Sequence, residues 1–240
     1  MYTERFYRTW VRRRDLFRFQ ITLGQSDLLI LCERDLRRRA HLALARTRAS
    51  LEAYLERDPL FAASLVPLRP FPEAPPLVAH MAAAAGRWEV GPMAAVAGAV
   101  AQAVGLELLD EAGTVIIENG GDIYARSPDP LHVRIYAGTD SPFSDRLLFR
   151  VAAREGVGVC TSSGRVGPSL SFGRADAVVA LAPDAACADA AATAIGNGIR
   201  CPGDVERVMP WAARQKDLIG LVVCCGERLG IWGELELIAE

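Results

Sequence analysis

Net charge is almost absent from this sequence: 27 basic side chains stand against 29 acidic ones, a balance of −2. Without a field of one sign, the chain as a whole draws neither nucleic acid nor an anionic membrane surface. The arginine runs at Arg12 to Arg14 and Arg37 to Arg39 come with no glycine-rich loop, so they read as solvated surface. The six cysteines show no CxxC spacing and no paired framework. A reduced, cytoplasmic protein is the expectation from that pattern. The N-terminal stretch MYTERFYRTWVRRRD lacks the apolar core of a signal peptide. The most apolar stretch, 91–109, is rich in Ala and Gly and interrupted by Gln102, which argues against a membrane span. No tandem repeat is visible. The three histidines, His41, His80 and His132, fall in separate elements and form no catalytic group.

What is present is a large apolar fraction. At 51% hydrophobic over 240 residues, the chain can bury a sizeable core, and it reads as one domain over 1–240. Alternation over 16–23 and the turn Gly24 to Ser26 predict a hairpin with 27–33. A long helix follows over 35–56, with Leu36, Ala40, Leu44 and Leu51 on one face. Five prolines make 66–76 an irregular surface connection. Two Ala-rich helices are predicted over 76–107, broken at Gly91-Pro92. Strands are predicted at 113–118, 121–126, 131–137, 145–151, 156–160 and 175–181. Asp184 caps a helix over 184–196 that Gly196 or Gly198 ends, and Asp204 caps another. A hairpin of 218–225 with 229–238 closes the chain. Hairpins at both ends make the fold class α+β, with mixed or antiparallel sheets packed by Ala-rich helices.

Three segments carry polar chemistry. The helix DAACADAAATAIGNGI sets Asp189 and Thr193 four residues apart, on one face. A carboxylate and a hydroxyl there form a hard oxygen patch of the kind Mg²⁺ accepts beside water and phosphate. The alternative is a solvated Asp189 and a Thr193 bonded back to the preceding turn. In ENGGDIYA, the Asn-Gly pair signals a hairpin. Gly120 and Gly121 also permit close backbone approach to a ligand, with Asp122 beside it. The stretch CTSSGRVGPSLSFGRADA, 160–177, follows an apolar strand. Thr161, Ser162, Ser163 and Gly164 suit an anion-binding nest, with Arg165 and Arg174 as charges for a phosphate. A flexible surface loop has the same composition. Cys160, at the mouth of this loop, is either a buried thiol or, in an electropositive loop, a reactive one.

GGDI, TSSG and ADAAATA, in that order, resemble the ApbE family. Its members are Mg²⁺-dependent flavin transferases that split FAD and attach FMN to a Thr or Ser of a target protein. A shorter ApbE-like family, related to the thiamine-biosynthesis ApbE proteins, is closer still. Its pattern includes FYR at 6–8, SDLLI at 26–30, SLVPL at 64–68, VGPMAAVAGA at 90–99, ENGGD, CTSSGRVGPSLSFGRADA and LGIWGELE at 229–236.

The resemblance implies an ApbE-like fold with Mg²⁺ and FAD, FMN or another nucleotide in one cleft. Asp189, Thr193 and a carbonyl near Val96 would take the metal. Gly120, Gly121, Asp122, Thr161, Ser162, Ser163, Gly164, Arg165 and Arg174 would line the nucleotide. Two departures speak against FMN transfer. Ala97 stands where the transferases carry a Lys, and PSLSFGRADA replaces their His–Ile–Ile–Asp–Pro segment. No catalytic residue is assigned. The alternative reading is a non-catalytic accessory protein in sulfide assimilation or homocysteine formation, working with a redox or sulfur-handling partner. A homodimer is compatible with either.

Overall fold

The computed structural model describes Arg8, residues 15–165 and residues 171–238. The Arg12 to Arg14 run, most of FYR and positions 166–170 of the serine loop lie outside the described residues.

Eight strands form one antiparallel sheet. β1 (Phe17–Leu23) and β2 (Ser26–Cys32) make the first hairpin. β3 (Val115–Asn119) pairs with β2, and β4 (Asp122–Arg126) pairs with β3. β7 (Val157–Ser162), β8 (Ala177–Ala182), β9 (Gly220–Cys225) and β10 (Arg228–Gly233) complete the order β1-β2-β3-β4-β7-β8-β9-β10. Between β4 and β7 the chain leaves this sheet. β5 (Leu131–Arg134) and β6 (Leu148–Val151) join β11 (Glu236–Ile238) in a small antiparallel sheet.

Both expected terminal hairpins form, but the second is shorter than its apolar run. Gly233 takes φ 104, and a Cβ there would lie 2.2 Å from the Ile219 carbonyl oxygen. The chain turns at that point, so Glu236–Ile238 pairs with β6 instead of extending β10. The strands expected at 131–137 and 145–151 are likewise shorter than predicted. Ile135 to Leu147 is a connection, in which Asp145 adopts φ 60.

The two faces of the large sheet bury different partners. On one face lie the helices α1 (Arg37–Arg57), α2 (Pro59–Ala63), α3 (Pro76–Arg87), α4 (Val96–Leu108) and α5 (Ala185–Asn197), with a short 3-10 turn at Pro92–Ala95. On the other face, Leu29, Leu31, Ile116, Val159 and Val179 pack against Val133, Phe149 and Val151 of the small sheet. Both faces of β2 and β3 are therefore covered, which is why they read as unbroken apolar runs.

The face expected on α1 is buried at Leu36, Ala40, Leu44 and Leu51. Tyr54 at its end packs edge-on to Phe61 and accepts the Phe71 N–H at 3.1 Å, pinning the proline-rich connection. Asp184 caps α5 as expected, accepting the Cys187 N–H at 2.8 Å, and Gly198 ends it. Asp204 is instead the first residue of α6 (Asp204–Ala212). Its carboxylate accepts the N–H groups of Arg200 and Cys201 and closes the preceding turn.

α5 sits deepest. Nine of its thirteen residues are buried, mostly alanines. Small side chains let neighbouring backbones come very close. A Cβ on Gly98 of α4 would lie 2.2 Å from the Ala185 carbonyl oxygen, and one on Gly158 of β7 would lie 2.4 Å from the Ala185 Cα. The first turn of α5 is thus clasped between a helix and a strand.

Among the described residues, no single helix is long and apolar enough to cross a membrane. The helical stretches Pro76–Arg87 and Pro92–Leu108 are bent by 103° to one another, and both contribute residues to the core.

Candidate functional site

The strand order brings one set of strand ends together. The start of β2, the end of β3, the start of β4 and the end of β7 all finish on the same side of the sheet. A cleft of about 1910 Å³ opens there and runs between these ends, α1, α4 and α5 on to residues 129–141 and the small sheet. Ligand pockets for compounds of drug size span roughly 300–1,000 Å³, so the volume exceeds what a small ligand needs.

Gly120 and Gly121 join β3 to β4 with φ of 72° and 103°. A two-residue turn of this hand needs positive φ at both places, which glycine adopts without strain. The turn is held from below by Glu118, whose Oε1 accepts the Gly121 N–H at 2.8 Å. Its other oxygen accepts Arg8 Nε at 2.5 Å. Arg8 also donates to the Asp27 carboxylate at 2.9 Å and to the Asp27 carbonyl at 2.7 Å. Gln20 donates to the same carboxylate at 2.6 Å. All three charged groups are buried. None of the three is among the site residues expected from the sequence. Their signal was a single charge inside an otherwise apolar strand: Asp27 at the head of SDLLILC, and Glu118 in VIIEN.

Next to the turn, Asp122 is buried and accepts the Thr161 N–H at 3.1 Å. Burial raises its carboxyl well above the usual range, and the nearby charge of Asp189 raises it further. Asp189 itself is pushed up to about 7, by burial against the opposing backbone N–H groups of Gly98 and Ala97. The Gly98 N–H donates to it at 2.9 Å. Asp189 therefore satisfies an amide that has no intrahelical partner at the start of α4, where the helix dipole favours negative charge. Thr193, one turn along α5, lines the cleft with Asp189, and Val96 and Ala97 line it from α4.

The structure thus sets a second carboxylate, Asp122, beside Asp189. Asp122 is buried and Asp189 half-buried, and the charge of Asp189 disfavours that of Asp122, a strain that a proton or a cation relieves. Their chemistry fits a hard divalent ion. Among the described residues no group of three or more His, Cys, Asp and Glu gathers around it, so the remaining oxygens would have to come from Thr193, water or a ligand phosphate.

Thr161, Ser162, Ser163 and Arg165 line the same cleft. Gly164 and Arg174 do not. The Gly164 N–H donates to Ala175, and Arg174 is exposed with its N–H on the Ile199 carbonyl. Cys160 lies behind Asp122, fully buried, with its Sγ donating to the Ala185 carbonyl at 3.3 Å. Burial and the charges of Asp122 and Asp189 push its thiol well up, so it is no ready nucleophile. His80 lies away from the cleft lining and bonds Asp184 at 2.6 Å.

The sequence matches the family model described as AbpE bacteria over residues 8–224. It is 42% identical over 200 residues to a UPF0280 protein of Methanothrix thermoacetophila, covering 82% of this chain and 83% of that one. It is 40% identical over 226 residues to a UPF0280 protein of Methanoregula boonei, covering 92% and 91%. In fold it is similar to the apo form of the flavinyl transferase ApbE of Pseudomonas stutzeri. The TM-score is 0.58 at 14% identity, over 91% of this chain and 94% of that one. A variant of the flavin transferase ApbE of Vibrio cholerae gives a TM-score of 0.60 at 12% identity, over 91% and 97%. At such identities the likeness is one of fold.

Proposed function

This chain belongs to the AbpE bacteria family, and from that footing we propose that its cleft binds a flavin nucleotide, FAD or FMN, together with a divalent cation of the Mg²⁺ class. One observation carries the reading: buried Asp122 and half-buried Asp189 come together on the lining of one large cleft, close enough for the charge of Asp189 to raise the carboxyl of Asp122. Asp122, Asp189 and Thr193 would hold the metal. The Gly120-Gly121 backbone and the hydroxyls of Thr161 and Ser162 would lie along the phosphates; the Ser163 hydroxyl donates instead to the Asp176 carbonyl. When bound, the metal would neutralise phosphate charge at a point where two carboxylates would otherwise repel it.

The residues of the chain do the positioning. Glu118, anchored by Arg8 and Asp27, keeps the glycine turn in one conformation. Asp122 holds the end of β7 through the Thr161 N–H. Asp189 spans α4 and α5, so metal binding and helix packing share one group. FMN transfer to a protein acceptor lies outside this reading, because Ala97 brings no cation to the cleft wall.

A thermal-shift screen of nucleotide against metal tests the proposal. FAD or FMN with Mg²⁺ should raise the melting temperature more than either component alone. A ligand at about 100 times its dissociation constant adds about 2.7 kcal/mol, which is readily seen. No shift with any flavin and metal pair would remove the reading and leave a non-catalytic accessory role in its place.

A further inference from the structure

The buried carboxylate of Asp176 has no part in the site so far. It stands just before β8 and is 2% exposed. Its Oδ2 accepts the Gly226 N–H at 2.9 Å, in the turn between β9 and β10. Its own N–H donates to the Cys224 carbonyl at 2.8 Å. Its Oδ1 lies 3.2 Å from Nε of Arg165. A second tie draws the same two residues together. Ser163 Oγ donates to the Asp176 carbonyl at 2.6 Å and accepts the Arg165 N–H at 3.0 Å.

An enclosed charge is costly unless it is paired, and here the pairing is lopsided. The Asp176 side chain is 3% exposed, whereas that of Arg165 is 58% exposed. An ion pair built only for the core would enclose both partners. This one encloses the acid and leaves the guanidinium out on the cleft wall, tethered by Nε. Its two terminal nitrogens make no hydrogen bond among the described residues.

The other arginines along the cleft are spoken for. Arg8 is bound to Asp27 and Glu118. Arg48 is bound to Glu52 and Ser26, Arg134 to Asp145, and Arg150 to Glu236. Arg165 alone among these four and itself keeps its terminal fork open to the cleft, on the hydroxyl-bearing end of β7.

We propose that Asp176 is a positioning residue that aims Arg165 at a phosphate of the ligand, forming an oxyanion subsite beside Ser162 and Ser163; this rests on the reading of the cleft as a flavin-nucleotide site. A guanidinium held at Nε presents two parallel N–H donors, which match two oxygens of one phosphate. The carboxylates of Asp122 and Asp189 repel a phosphate, so a tethered cation on the lining of the same cleft supplies a balance like that of a bound metal.

The test is a double-mutant cycle read with FAD and riboflavin, both in the presence of Mg²⁺. Arg165→Met should weaken FAD binding roughly ten- to hundredfold, the range for hydrogen bonds to a charged group, and leave riboflavin, which has no phosphate, unchanged. Asp176→Asn should weaken FAD in the same direction. In the Arg165→Met background it should add no further loss, because its effect runs through the arginine. If Asp176→Asn fails to fold, Arg165→Met and Arg165→Lys carry the test, with Lys recovering charge but not the paired donors. Equal FAD affinity in Arg165→Met and wild type would overturn the subsite. So would a parallel loss for riboflavin, which marks a structural role. If neither flavin binds wild type, the cleft reading itself falls. If FAD binds and Arg165→Met leaves it untouched, the cleft reading stands and only the subsite is lost.

Discussion

The Gly98 N–H donates to the Asp189 carboxylate at 2.9 Å, joining the first turn of α4 to the middle of α5. One side chain therefore caps a helix and faces the cleft, and the two roles separate by substitution. Asp189→Asn keeps an acceptor oxygen for Gly98 and removes the charge. It should melt close to wild type and lose the Mg²⁺-dependent part of the flavin shift. Asp189→Ala should lose that and also about 1 kcal/mol of stability, the usual cost of a missing cap. Melting curves with and without Mg²⁺ and FAD decide this; a full metal-dependent shift in Asp189→Asn would refute the metal role.

Gly98→Ala and Gly158→Ala should each cost about 1–3 kcal/mol, as overpacking does in a close-packed core. Both new methyls would collide with Ala185, at 2.2 Å from its carbonyl oxygen and 2.4 Å from its Cα. Urea unfolding midpoints measure it. Wild-type midpoints in both variants would mean that α5 is not clasped at its start.

Stability should fall on the acid side through Asp184. Burial opposes its ionisation, but the hydrogen bonds from His80 and the Cys187 N–H outweigh it and hold the carboxyl below its usual value. A folded pKa lower than the unfolded one stabilises the ionised form. That contribution is complete above the unfolded value near pH 4 and is lost as pH drops through the folded value. His80→Ala should flatten this acid limb. Melting temperatures from about pH 6 to about pH 3 check it, and an unchanged slope in the variant would count against the pairing.

Mg²⁺ added alone should give no saturating heat in a calorimeter. Asp122, Asp189 and Thr193 supply too few ligands for a closed cage, and Mg²⁺ sheds water reluctantly without a phosphate to share. Tight binding without nucleotide would reveal further ligands.

No FMN should pass from FAD to a Thr-bearing acceptor protein. Ala97 provides no charge at the cleft wall to steady a leaving phosphate. In-gel flavin fluorescence of the acceptor is the readout, and a strong fluorescent band would contradict it.

Much of this fold was legible locally. The run SDLLILC, the Asn-Gly turn, the Asp184 cap and the alanine stretch after it each announce one element through short-range periodicity or turn chemistry. So did the oxygen pair Asp189 and Thr193, because helical spacing places residues four apart on one face. The pairing of β4 with β7, and the departure of β5 and β6 into a sheet with β11, had no such trace. They depend on which apolar faces can be covered at once. The site's supporting contacts are long-range for the same reason. Arg8 meets Glu118 across 110 positions, Gly98 meets Asp189 across 91, and Asp122 meets Thr161 across 39. Local residue types mark where a turn or helix starts. Which buried charges become partners is settled only when the sheet order brings distant strand ends together and removes the water that would otherwise have solvated them.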